Sequence, residues 1–355
     1  MSLKTCLTYP ILLMVSTAKR SFEELGKIIK KSGDTAKRLL NPAESYFKLS
    51  QKISQELFKN SKILTLNMDD TLLLKRYSQW MEGTGYFYDT KLYRKMRSYR
   101  VIAASITNGK YAVPLLSWLM FDEDLMQGFK SKTKLEFTKA IVFLAKKLFP
   151  LAKIRLVADG LFASIEILDW CLKNGIEADF RMARNRVVEF KGERLKISEI
   201  EELELKGRRN ARSVRIKWHN LDLWITSERR INKKGVESIV YIVSTYYCKP
   251  IEHVKSYKKR WPIEKIFRTT KQFLGIQECF STQLDVQESH VAAAFAAYSI
   301  AQLEMKKSGY KTPEDALRAL KTKKLDFLIK RFDRLDKSIH TAYASVLIFF
   351  QNLYL

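Results

Sequence analysis

Two short apolar runs, each finishing on an acid, set the tightest limits on how this chain can fold. The first reads Lys62-Ile-Leu-Thr-Leu-Asn-Met-Asp69-Asp70-Thr71, the second Lys153-Ile-Arg-Leu-Val-Ala-Asp159-Gly160. Apolar runs of this length, bounded by turn formers, read as buried strands. Between them, Asn108-Gly109 sits between two further apolar stretches in residues 100–118, which is a strong hairpin signal. Residues 131–148 have helical periodicity, residues 164–174 read as a helix closed by Gly175, and residues 177–183 as another strand. In an open sheet, side chains at strand ends reach the active face, so both runs deliver a carboxylate there.

The flanking regions differ in character. Ser21 with Glu24 forms a capping box, Ser32-Gly33 interrupts the helix that follows, and Asp34 is placed to cap a second one. Two short helices about a glycine turn have the plan of a helix-turn-helix, and equally that of a helical hairpin packed on a core. From residue 184 to 245 the pattern becomes β: Ser213-Val-Arg-Ile-Lys-Trp, Leu221-Asp-Leu-Trp-Ile-Thr and Ser238-Ile-Val-Tyr-Ile-Val-Ser alternate. Residues 289–305 form a small-residue helix, and Pro313 begins another. The chain divides into a helical region at 1–60, the acid-bearing α/β part at 61–183, a β-rich insertion at 184–245, its completion at 246–310 and a helical tail at 311–355.

Charge identifies the class of partner. Lysine and arginine number 64 against 38 aspartates and glutamates, a net of +26 spread along the whole chain. Such an excess suits a polyanion, because cations that neutralise phosphates release condensed counterions. The even spread favours a long nucleic-acid track over a folded body. No basic amphipathic segment supports a membrane surface, and no apolar run approaches the roughly 20 residues of a membrane span. The apolar stretch before Val15 is broken by Pro10 and lacks a cleavage site, so it does not read as a signal peptide. Cys6, Cys171, Cys248 and Cys279 are scattered and read as reduced thiols of a cytosolic protein. His219, His253, His290 and His340 show no spacing suited to zinc or to a catalytic base.

One segment carries most of the chemistry: Tyr257-Lys-Lys-Arg260-Trp261-Pro262-Ile263-Glu264, continuing to Arg268, Lys271, Leu274 and Gly275. On a single helix, Tyr257, Arg260, Glu264 and Lys271 would share one face, with Glu264 and Lys271 about 10 Å apart along the axis. A charged run of this kind is by default a solvated helix face. The spacing, the Trp-Pro-Ile-Glu core and the Leu-Gly ending together resemble the tyrosine–arginine–glutamate–lysine signature of bacterial insertion-sequence transposases of the DDE class. The text around Asp159 resembles the second-aspartate motif of that family, and Asp-Asp-Thr after the first run resembles its first.

The resemblance covers residues 61–303 and implies a ribonuclease-H-like mixed sheet flanked by helices, with the β-rich insertion before the signature. It implies Asp69, Asp159 and Glu264 as catalytic and metal-holding acids, with Asp70 as the alternative at the first position. Two Mg²⁺ ions, with Mn²⁺ as substitute, would lie about 4 Å apart and serve phosphodiester hydrolysis at transposon ends, then transfer of the 3′-hydroxyl into target DNA. Tyr257, Arg260 and Lys271 would grip phosphates, with Arg268 as a further candidate. Asn67 shares a strand face with Asp69 and would line the edge of the site. Trp118 and Trp261 are expected in the core, with base stacking the other reading. The expected partners are double-stranded DNA, as terminal inverted repeats and target, and a second copy of the chain in a synaptic complex. No membrane and no small-molecule substrate is expected, and the location is the cytoplasm, at the nucleoid. The alternatives are an inactive or domesticated DNA-binding protein of the same fold and another ribonuclease-H-like nuclease.

Overall fold

A computed structural model describes residues 6–76, 80–89, 92–120, 133–207, 209–232 and 234–340, with side chains to residue 332. The first acid-ending run becomes β1 (Ile63–Leu74) and the Asn-Gly hairpin becomes β3 (Arg94–Thr107) and β4 (Ala112–Met120). The turn closes with Gly109 at φ 96° while the Asn108 side chain accepts from the amides of Lys110 and Tyr111. The second acid-ending run is β5 (Lys153–Ala158), and β6 (Glu177–Met182) follows. Strands β1, β3 and β4 pair antiparallel, whereas β1 with β5 and β5 with β6 pair parallel. The order β4-β3-β1-β5-β6 is the ribonuclease-H-like arrangement. A short β2 (Gly85–Asp89) prolongs the sheet at the near end of β3.

Helices cover both faces. Thr138 of α5 (Lys134–Leu148) donates to the Met68 sulfur, while Lys271 of α8 (Trp261–Phe273) donates to the Thr71 hydroxyl. Met68 and Thr71 lie an odd number of residues apart on one strand, so they face opposite ways. Thr133 and Glu136 form a full capping box at the start of α5, and the expected start at residue 131 lies outside the described residues. Ser164 caps α6 (Ile165–Lys173), and Gly175 follows it at φ 62°.

The insertion continues the sheet. It comprises β7 (Val187–Phe190), β8 (Glu193–Lys196), β9 (Ala211–Trp218), β10 (Leu221–Ile231) and β11 (Glu237–Ser244). Strand β11 pairs antiparallel with β6, from Tyr241 opposite Met182 to Ser244 opposite Asp179. One 11-stranded sheet therefore runs from β2 to β8.

The N-terminal residues share the same core. Helix α1 (Thr8–Val15) is buried from Thr8 to Met14, and α4 (Ala43–Phe58) packs on β4 and on α9 (Leu284–Ser308). Helix α9 is rich in alanine and buried on every side through its middle, as a helix apolar all round must be. The two short helices are α2 (Phe22–Ile28) and α3 (Gly33–Arg38); Ser21 caps the first as expected, but Ser32 rather than Asp34 caps the second. The extended backbone of Ser32 aims its hydroxyl at the Thr35 amide, whereas Asp34 already lies inside the first turn. Gly26 and Gly33 permit the close crossing: a Cβ on Gly26 would meet the Lys31 carbonyl at 2.7 Å. At the other end, α10 (Pro313–Lys321) opens at the expected proline, and α11 (Leu325–His340) packs against α1 and α4. Among the described residues, no helix is long and apolar enough to cross a membrane.

Candidate active site

The signature segment is two helices, not one. Helix α7 (Pro250–Lys258) carries Tyr257 and ends before Lys259, and α8 carries Glu264 and Lys271, with Arg260 as its N-cap residue. Pro262 explains the break: it has no N–H for an intrahelical bond, and its ring collides with the carbonyl four residues earlier. It is well suited to the first turn of α8. The shared-face argument therefore holds for Glu264, Arg268 and Lys271 alone. Arg260 reaches the site from a turn.

Arg260 is the centre of the cluster. Its Nη1 donates to Asp69 Oδ2 at 2.8 Å and its Nη2 donates to Glu264 Oε1. One guanidinium thus ties β1 to α8 across 191 residues of sequence. Asp159 lies within electrostatic reach of both Asp69 and Arg260. Its Oδ1 accepts from the Gly160 amide at 2.8 Å, so it also caps the short turn after β5. Burial pushes the Asp69 carboxyl up to about 7, against the downward pull of Arg260. The Arg260 guanidinium, flanked by Tyr257 and these acids, is held above its usual range despite burial.

Strand alternation separates the two adjacent aspartates. Asp69 faces α8, whereas Asp70 faces the other way and accepts from Arg100 Nε at 2.6 Å. Asn67, on the face of Asp69, is fully buried and donates to the Ser105 hydroxyl at 3.5 Å, and its Oδ1 has no hydrogen-bond partner.

The remaining candidates differ from expectation in instructive ways. Tyr257 is 3% exposed, packed with Ile242 and Val254, and so does not present its ring to a phosphate backbone. Its ring lies 5.8 Å from the guanidinium carbons of both Arg260 and Arg230. Buried Glu228 of β10 completes that connection, pairing with Arg230 at 2.7 Å and with Lys258 at 3.1 Å. Lys271 donates to the Thr71 hydroxyl at 2.7 Å and to the Leu72 carbonyl at 2.9 Å, tying α8 along β1. Arg268 is exposed on α8. Trp118 packs edge-on against Phe137 at 5.0 Å, but Trp261 is 51% exposed and not in the core.

Sequence spacing missed the group that seats α7. Asp179 of β6 accepts from the Ser244 hydroxyl at 2.6 Å, the Tyr246 hydroxyl at 2.8 Å and the His253 ring at 2.8 Å. The Cys248 amide donates to His253 Nε2, which places the ring proton on Nδ1, facing the carboxylate. The available signal was an aspartate flanked by apolar residues inside a buried strand, Ala178-Asp179-Phe180.

Three hard oxygen donors on separate elements are the right kind of ligand for a divalent ion. Among the described residues, however, no group of three acid, histidine or cysteine side chains is spaced to hold one. Arg260 itself takes the position between Asp69 and Glu264, so the donors match a metal in kind while a guanidinium bridges two of them.

Residues 131–300 match the family described as transposase DDE domain. That stretch contains Asp159, Tyr257, Arg260, Glu264 and Lys271; Asp69 precedes it. A piggyBac transposase synaptic complex with hairpin DNA is similar in structure, at 13% identity and a TM-score of 0.49, over 96% of this chain and 75% of that one. No curated protein matches the chain.

Proposed function

Residues 131–300 match the transposase DDE domain, and from that match we propose that Asp69, Asp159 and Glu264 cut and rejoin DNA at the ends of a mobile element. The observation that carries this reading is the Arg260 bridge, which draws Asp69 and Glu264 together from distant sequence, with Asp159 beside them. DDE domains work with divalent ions; two Mg²⁺ ions would be held here by the three carboxylates once Arg260 gives up its bonds to Asp69 and Glu264. Bound there, the ions supply charge neutralisation at the scissile phosphate and an activated water.

The protein's own groups do the rest. Arg260 carries two parallel donors in a planar fork, which match a phosphate as well as they match the two carboxylates. A DNA phosphate entering the site is therefore the natural competitor for Arg260. Tyr257 and Arg230 support the guanidinium from behind, Lys271 holds α8 on β1, and Arg268 offers a further cation to the duplex. Glu264 and Asp69 would hold the ions so that the attacking oxygen, first of water and then of the freed 3′-hydroxyl, is oriented at the phosphorus, its proton leaving to bulk water. The substrates are double-stranded DNA bearing terminal inverted repeats and a target duplex. Two copies of the chain would pair the ends, in the cytoplasm at the nucleoid, with α2 and α3 as the candidate end-reading helices.

The deciding experiment is cleavage of a duplex carrying the inverted repeats that flank the gene. It should be cut at the repeat boundary with Mg²⁺, and neither with EDTA nor by Asp159→Asn. Salt-sensitive binding without cutting, alike in both proteins, would leave a DNA-binding protein that has lost the chemistry.

A further inference from the structure

A second cluster of cations borders the acids at Asp159. A cleft of about 370 Å³ opens beside Asp159, between the end of β6 and strand β11. Arg181, Arg184 and Arg186 line it, together with the half-exposed Leu161 and Ile239. All three arginines are exposed, and among the described residues none has an ion pair or a side-chain hydrogen bond. Elsewhere in the insertion Lys191, Lys196, Arg215 and Arg230 each have a carboxylate partner. Among the described residues, three guanidiniums without a carboxylate partner thus share one wall of the cleft beside Asp159.

Their backbone is fixed. Arg181 pairs with Ile242 across the seam between β6 and β11. The Arg184 and Arg186 carbonyls accept from the amides of Ser198 and Ile197, and the Arg186 amide donates to the Ala183 carbonyl. Arg186 rests its guanidinium 5.9 Å from the Trp218 ring, which orients the group without neutralising it. Mutual repulsion of three such groups costs free energy unless an anion relieves it. A wall this open, with guanidiniums beside apolar side chains, suits a polymer that presents phosphates and sugars in succession rather than a small enclosed anion.

We propose that Arg181, Arg184 and Arg186 form a phosphate track for the DNA strand leaving the acids across the β6–β11 seam. The proposal rests on the transposase reading. It adds a second bank of phosphate-binding groups, in the cleft beside Asp159, to the one supplied by Arg260. None of the three needs to touch the reacting atoms; they hold the strand in register.

The test uses the full chain, a fluorescein-labelled 30-base-pair duplex of arbitrary sequence, and anisotropy titrations at several salt concentrations. The variant R181Q/R184Q/R186Q should bind at least tenfold more weakly at low salt. Its log K against log salt slope should fall by about 0.9 for each phosphate no longer neutralised, so by up to about 3. A control of equal charge, K311Q/K321Q/K323Q around α10, should change the slope by less than half as much. Benzoylphenylalanine at Ile239 should cross-link the duplex on illumination, and excess unlabelled duplex should suppress that adduct. Equal slopes for the two triple variants, or no adduct at Ile239 while wild type binds, would overturn the track and leave the transposase reading intact. Wild-type protein that binds no duplex at any salt would overturn both. Far-ultraviolet circular dichroism confirms that the variants fold, as substitution of exposed, unpaired side chains should allow.

Discussion

At the scale of single residues, Arg260 decides how the site behaves. Removing the charge of Glu264 while keeping its shape separates chemistry from binding: Glu264→Gln should lower cleavage by at least about a thousandfold and leave duplex affinity within about threefold, read by gel assay and anisotropy. Comparable cutting by that variant would end the proposed mechanism. Arg260→Lys keeps the charge but loses the fork, and should weaken DNA binding and cutting together, since a lysine cannot span two oxygens as a guanidinium does. His290 is a separate case. Its Nδ1 faces the Tyr9 hydroxyl and its Nε2 the Gly275 carbonyl, both at 2.9 Å. Burial lowers it to about 4, the Gly275 bond opposes that shift, and Lys75 and Arg20 add to it. The folded state therefore resists protonation. This contribution to stability is complete above about pH 6.5 and is lost as pH falls toward 4, amounting to about 3 kcal/mol at the low end. Thermal melts across that range should show the fall, and His290→Gln should flatten it. A flat profile in wild type would contradict the burial argument.

At the scale of elements, the structure shows which parts of the site were legible. Both acid-ending strands, the Asn108-Gly109 hairpin and the helix before Gly175 follow from local rules, because apolar runs, turn residues and caps act within a few positions. Trp261 was misplaced because an aromatic next to a proline at a helix start faces solvent as readily as core. The single signature helix was misread because periodicity ignores what Pro262 forbids to the residue four back. The hairpin of β7 and β8 was missed because its strands are short and charged; its turn relies on Lys191 and Gly192, both at positive φ. The seat of α7 was invisible since Asp179 and His253 meet only through the fold, 74 residues apart. Asp179→Ala would strand the Ser244, Tyr246 and His253 donors in a buried pocket. It should cost about 3 kcal/mol and disorder α7, lowering the melting temperature and exposing Cys248 to thiol reagents. The Leu-Gly ending has a steric reason as well. Gly275 sits at φ 60°, and a Cβ there would meet Arg20 Cδ and Glu278 Oε2, each at 2.6 Å. Gly275→Ala should therefore destabilise by about 1–3 kcal/mol, read in denaturant titrations.

At the scale of the whole molecule, charge and topology act together. The expectation of a polyanionic partner rests on a net of +26, which survives any folding pattern. Where the charge gathers was not, since Arg181, Arg184 and Arg186 become one wall only when β11 docks on β6. On the proposed function, competition between phosphate and carboxylate for Arg260 would make metal uptake depend on DNA. Mn²⁺ binding followed by electron paramagnetic resonance should be weak for the protein alone and tighten at least tenfold with duplex, while equal affinity in both would remove the coupling. The unbroken sheet has a further consequence. Four strand spacings separate β1 from β10, about 19 Å at roughly 4.8 Å each, which matches about five to six base pairs of duplex. A duplex lying across both ends of that span would be gauged as if by a caliper with a welded jaw. The offset between where it is gripped and where it is cut would then be set by a count of strands, not by the reach of a tether.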